Sequence, residues 1–354
     1  MTVNTVEIPS QWHAVVESLI LLLESDTKLE KMLIKAIQAS GRFSDPPLES
    51  FYTLIHRMQT TIPNPKSWLP MNLEFYYVLG CAEDNALFEH PKLSEWLHQY
   101  TSSLGQWMNS RESLQNLAAF RNDPLYAVED SIEPDNGWSS YNDFFSRHLK
   151  QGRRPISAAS DDTVIVAAAD SSFCGHHKIC SDSTVIAKGL SWSILELLDD
   201  SPYAEAFQDG FYGHSFLAPH NYHRFHAPAG GKLLEVRTVM GRVSMDVHEQ
   251  EDGSLSVSRS AIGYQFKQER GIAILETAVG LVGVIPIGMG IVSSVSFTAA
   301  INSILNKGDE LGYFSFGGSD VVLLFQKSAA IDWQLSLGDF RKQGQAIALA
   351  KPCN

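Results

Sequence analysis

A change in the spacing of apolar residues partway along the chain constrains its fold more than any other feature. Trp12, Val15, Val16, Leu19, Ile20 and Leu23 recur at helical spacing after Pro9-Ser10, and a second stripe runs through Leu29, Met32, Leu33 and Ile37. Helical patterns return over Leu48 to Met58, Leu73 to Leu87, Leu93 to Leu104 and Arg111 to Phe120. From Val164 onward the pattern is one of short β-branched runs separated by glycine: VIVAAA, TVIA, KLLEVRTV, ILET, LVGVIPIG, VSSVSF and VVLLF. The chief helical stretch there is Trp192 to Leu198. Between the two patterns, Arg121 to Ser140 is rich in Asp, Glu, Pro and Gly and reads as a linker. The expectation is an α+β chain, with a helical N-terminal domain over residues 1–135 and a mainly β domain over 136–354. The helical stripes read as core and carry no visible chemistry.

In the β part, the stretch FSFGGSDVVLLF (Phe314 to Phe325) places a hydroxyl after two glycines and before an apolar run. A tight turn leading into a buried strand accounts for it. It also suits a reactive backbone, with the Ser319 hydroxyl beside the Gly318 carbonyl, and that chemistry needs a base. The densest titratable cluster is PHNYHRFHAPAGG, with His220, His223 and His226 inside seven residues and His214 just upstream. His223 and His226 lie three apart, so they point to opposite faces of a strand but to one face of a helical turn. If both serve one site, the segment is a turn or short helix leading into the strand at Lys232. Asp170, at the end of VIVAAA, supplies a carboxylate to orient a histidine. Asp170, His226 and Ser319 thus offer orienter, base and nucleophile, roles defined in space and not by chain order.

Other chemistries fit less well. Cys174-Gly-His-His-Lys-Ile-Cys180 joins thiols and imidazoles, but its spacing is not that of a zinc knuckle, and no metal is expected. Gly288-Met289-Gly290 lacks the third glycine of a dinucleotide loop, and no G-x-S-x-G elbow occurs. A formal net charge of −13 and a pI near 5.3 argue against a nucleic-acid partner and against docking on an anionic bilayer by charge. A small molecule is the simpler substrate. The run Leu19 to Leu23 is short and flanked by Glu17 and Glu24, and 278–292 is broken by Pro286 and glycines, so no stable membrane anchor is expected. No basic stretch precedes an apolar run at the N-terminus, and four cysteines make no disulfide framework at this length. A reducing, cytoplasmic location follows as an expectation.

Four stretches then carry a resemblance to the phosphatidylserine decarboxylase family. They are SSYNDFFSRHLKQGRRPI (Ser139 to Ile156), the Asp170 run with KGLSWSILELL after it, NYHRFHAPAGG, and KGDELGYFSFGGSD (Lys307 to Asp320). The resemblance implies a pyruvoyl enzyme that cuts itself at Gly318-Ser319, with an Asp-His-Ser triad at Asp170, His226 and Ser319 and a second motif histidine at His223. It implies a β chain of residues 1–318, an α chain of 319–354 that stays associated with it, and a pyruvoyl cofactor made from Ser319. That group forms a Schiff base with the substrate amine. The residues Gly317-Gly318-Ser319-Asp320, Ser171 after Asp170 and Asn221 before Tyr222 depart from the lipid enzymes. They are similar to a soluble branch of the family that includes a fungal tryptophan decarboxylase. The leading expectation is therefore an amino-acid decarboxylase acting on an aromatic substrate. A phosphatidylserine decarboxylase that visits membranes and an inactive family member serving as a binding module are the alternatives. Homodimer formation is one of the roles open to the helical domain.

Overall fold

The computed structural model describes residues 11–43, 45–187, 190–257, 263–290, 294–315 and 318–352. The N-terminal part is helical: α1 (Ala14–Ser25), α2 (Thr27–Ser40), α3 (Pro47–Thr60), α4 (Trp68–Gly80), α5 (Ala86–Glu89), α6 (Pro91–Met108), α7 (Leu117–Arg121) and α8 (Tyr141–Phe145). Local chemistry sets several ends. Asp26 caps α2 by accepting from the Leu29 amide at 3.2 Å, and Gly41 closes that helix at φ 64°. Each amphipathic helix sends its apolar stripe inward, Val15, Val16, Leu19 and Leu23 from α1 and Leu93, Leu97, Tyr100 and Leu104 from α6. Phe75, Phe51 and Tyr100 stack at the centre.

Three stretches differ from the sequence expectation here. The pattern over Leu73 to Leu87 is split, with α4 ending at Gly80 and α5 starting at Ala86. Only a short turn and α7 form within Arg111 to Phe120, because the chain there bends to pack Phe120 against Tyr126 and Tyr141. The expected linker is packed as well: Tyr126, Val128 and Trp138 are buried in the helical core among otherwise polar neighbours.

The C-terminal part is built on one antiparallel sheet of eight strands. In chain order its members are β1 (Ser171–Lys178), β2 (Phe211–Leu217), β4 (Gly231–Val239), β5 (Arg270–Thr277), β6 (Gly280–Met289), β8 (Ile304–Leu305), β10 (Gly318–Phe325) and β11 (Phe340–Arg341). The order across the sheet is β8-β4-β5-β6-β10-β2-β1-β11. A smaller sheet joins β7 (Val295–Phe297), β9 (Glu310–Phe314) and β3 (Arg224–His226). Alternation along β10 sends Val321, Leu323 and Phe325 into one core and Val322 and Leu324 into another on the opposite face. β10 is central, paired with β6 on one side and β2 on the other.

The two parts share a core. Val243 and Met245, from the segment after β4, are buried among the helices, and Arg42 reaches Glu249 at 2.6 Å and the Gly253 carbonyl at 2.7 Å. At Gly290 (φ +73°) a side chain would stand 2.6 Å from Met245 Cε, so the chain needs glycine where β6 ends under the helices.

Candidate active site at the Gly318-Ser319 bond

The strand begins at Gly318, one residue before the hydroxyl; Gly317 lies outside the described residues. Ser319 stands opposite Gly288 on β6 and Leu217 on β2, and it is 1% exposed. Its Oγ lies 3.1 Å from Nδ1 of His223. The other ring nitrogen, Nε2, is 3.0 Å from the Ala218 carbonyl. A carbonyl only accepts, so Nε2 carries the hydrogen and Nδ1 is left to accept from the serine hydroxyl. Burial, reinforced by the nearby Arg147 guanidinium, pushes His223 down to about 3, so the ring is neutral near pH 7, with the Nδ1 lone pair free to accept a proton. Phe145 stacks on the imidazole with centroids 3.9 Å apart. Ser140 places that ring by capping α8, its Oγ accepting from the Asp143 amide at 3.2 Å.

His226, the base expected from the sequence, has other partners. Its Nδ1 donates to the Gly308 carbonyl at 2.9 Å, and its Nε2 accepts from the Tyr222 hydroxyl at 3.2 Å. Burial holds its pKa below the usual histidine value. The carbonyl belongs to a glycine at φ +88°, where a side chain would meet Ile156 at 2.3 Å. The reason for the divergence is backbone shape: Arg224–His226 is a strand, not the turn or short helix that would bring both rings together. Odd spacing on extended chain sends the two rings apart.

Asp170 is buried and held by Arg154, through Nε at 2.7 Å and through Nη2, and by the Gln343 amide at 2.8 Å. Arg154 lies over the Tyr222 ring, 5.8 Å from its centroid. Asp170 therefore connects to His226 by way of Arg154 and Tyr222, and a backbone bond from His226 N to Ala168 O (2.8 Å) ties the two segments.

The remaining histidines of the cluster lie elsewhere. His214 sits across β10 from the serine hydroxyl, 3.2 Å from the buried Asp320 carboxylate, and His220 packs edge-on to Tyr126. Arg154, Tyr222 and Phe145 contribute to the site without a distinguishing signal of their own in the sequence. Arg154 and Phe145 lie inside SSYNDFFSRHLKQGRRPI, where the only available signal was membership of that stretch.

A buried serine after a glycine, with a histidine nitrogen on its hydroxyl, is an arrangement that can activate a nucleophile. The model of the family described as Phosphatidylserine decarboxylase matches residues 141–349, which include all of these groups, and the chain belongs to that family of pyruvoyl-dependent carboxy-lyases. Among curated relatives, the phosphatidylserine decarboxylase proenzyme of Fusobacterium nucleatum is 30% identical over 262 residues, covering 73% of this chain and 81% of the relative. Phosphatidylserine decarboxylase proenzyme 2 of Oryza sativa is 30% identical over 244 residues, 67% of this chain and 38% of the relative. The L-tryptophan decarboxylase of Psilocybe cyanescens is 28% identical over 235 residues, 62% of this chain and 53% of the relative. Among the described residues, no helix is long and apolar enough to cross a membrane.

Proposed function

We propose that the chain is a proenzyme that cuts itself between Gly318 and Ser319 and then decarboxylates an aromatic L-amino acid to its amine. The observation that carries the reading is the 3.1 Å approach of neutral His223 Nδ1 to Ser319 Oγ at a Gly-Ser bond. His223 accepts the hydroxyl proton as Ser319 Oγ attacks the Gly318 carbonyl carbon. The C–N bond breaks as the imidazolium returns that proton to the Ser319 nitrogen, and an ester replaces the amide. Loss of the Ser319 α-proton then expels the Gly318 carboxylate and leaves a dehydroalanine, which water converts to pyruvoyl with release of ammonia. Geometry favours His223 over His226 as the base, since Tyr222 and Gly308 take up the ring nitrogens of His226. Asp170, through Arg154 and Tyr222, is a positioning group in this reading.

The residues fit a pyruvoyl group at position 319: the serine is buried, its base is neutral, and a glycine precedes it. When present, that group supplies a carbonyl for the substrate amine and an adjacent carbonyl to accept the electrons left as carbon dioxide departs. The protein side of the site is dry, since His223 is fully buried under Phe145, and this strengthens polar contacts made there. Pairing of β10 along both edges supports continued association of the fragments 1–318 and 319–354.

Similarity to a protein named L-tryptophan decarboxylase and the Gly-Gly-Ser-Asp sequence support the amino-acid substrate. The names of the other relatives support a second reading, decarboxylation of phosphatidylserine. A denaturing gel tests the cut: two bands from the wild type and one from Ser319→Ala are expected, and an uncut wild type ends the proposal. Carbon dioxide release from tryptophan, tyrosine and phenylalanine beside phosphatidylserine vesicles separates the substrates.

A further inference from the structure

A cavity of about 350 Å3 lies between α6 and the strand ends that flank the Gly318-Ser319 bond. His98, Thr101, Ser102 and Gly105 line one side. Their spacing is that of a single helical face, distinct from the stripe of Trp96, Leu97, Tyr100 and Leu104 that α6 buries in the helical core. Asn109 and Asn142 continue this wall. Across from it stand Met240, Val243, Glu269, Gly290, Ser294 and Ser315.

Three contacts place the cavity next to the reacting bond. Gly290 follows Met289, the partner of Gly318 across β6 and β10. The Glu269 carbonyl accepts from the amide of Gly288, the partner of Ser319, at 2.9 Å. Ser315 follows Phe314, whose amide bonds the His223 carbonyl at 2.9 Å.

The wall also has a chemistry. Among its described residues Glu269 is the only carboxylate, and His98 is the only basic side chain, so the wall offers a phosphodiester no permanent cation. Met240, 82% exposed, and Val243 give apolar surface beside this acceptor. Volume and lining match a ligand of amino-acid size with a flat ring and a hydrogen-bond donor. Burial raises the pKa of Glu269, with the Val295 amide opposing, as suits a carboxyl group facing a pocket and not open water.

We propose that this cavity receives the side chain of an aromatic amino acid, with Glu269 accepting from the ring N–H or O–H and Met240 and Val243 against the ring. This rests on the decarboxylase reading above. It makes the helical layer a specificity wall of the active site.

The test uses full-length, self-cleaved protein and steady-state carbon dioxide release. Thr101→Trp, which fills the cavity from the helical side, should raise KM for tryptophan about tenfold or more, whereas Gln99→Trp on the exposed side of α6 should leave it unchanged. Should Thr101→Trp prove insoluble, Ser102→Phe makes the same measurement from the same face. Glu269→Leu should reduce the preference for tryptophan over phenylalanine about tenfold. A wild-type KM in the filled variant, or an unchanged preference in Glu269→Leu, overturns the proposal. These outcomes differ from failure of the parent reading, which shows as an uncut chain or as turnover of lipid vesicles alone.

Discussion

The helical layer and the β unit store their information in different ways. In the helical layer, residues that pack together are often close in sequence: Asp26 caps its own helix, and α1 meets α2 across a single residue. In the β unit the decisive contacts are remote, 96 residues between His223 and Ser319 and 173 between Asp170 and Gln343. Local periodicity therefore builds the helical layer, and long-range register brings the candidate site together. The consequence is that a core defect and a site defect should separate experimentally.

The largest separation is expected at His223. His223→Ala should slow self-cleavage by about 10²–10⁴-fold, the usual worth of a general base, as followed by band intensity over time. His226→Ala should slow it less. If the two rank the other way, the base has been assigned to the wrong ring.

Next comes the helical core. Phe75→Ala removes a fully buried ring stacked on Phe51 and Tyr100 and should cost roughly 3–5 kcal/mol in denaturant unfolding. Cutting should still go to completion at low temperature. If it does not, the layer and the β unit form one cooperative unit and the contrast drawn above collapses.

The pH dependence is smaller per step. With a folded pKa of about 3, against about 6.5 unfolded, His223 leaves the unfolded chain to take up a proton that the folded chain refuses. Its contribution is fully present above about pH 6.5 and is lost as pH falls toward 3, at roughly 1.4 kcal/mol per unit. Burial of His226 acts in the same direction. A slope between pH 6 and 4 that is the same in wild type and His223→Gln would contradict this.

The smallest effect belongs to Arg42, whose half-exposed ion pair with Glu249 bridges the two regions. Arg42→Ala should cost under about 1 kcal/mol by the same unfolding measurement, and less in high salt.

These contrasts also explain what the sequence could show. Helices α1, α2, α3 and α6 were legible because each buries a clean 3.6-residue stripe. The 121–140 stretch was not, because three buried aromatic or aliphatic side chains spaced through polar residues form no period. Asp170, His223, His226 and Gly318-Ser319 could be named from motif stretches. Which histidine meets the serine could not, since that turns on whether 224–226 is extended or coiled. Glu269 gave no signal at all. Nothing in KQERGIAIL distinguishes it from a surface acid, and only the three-dimensional course of β5 and β6 brings it to the cavity.

The pairing of β10 along both of its edges has a consequence for the history of the molecule. If the cut falls where β10 begins, the chain must thread and register that strand while it is still one covalent piece. Afterwards the same arrangement would have to be reached by two separate polypeptides, a second-order encounter with no tether to guide it. The mature protein would then resemble a ratchet: its assembly is dictated once by the intact sequence, and denaturation erases a state that its own fragments are poorly equipped to find again.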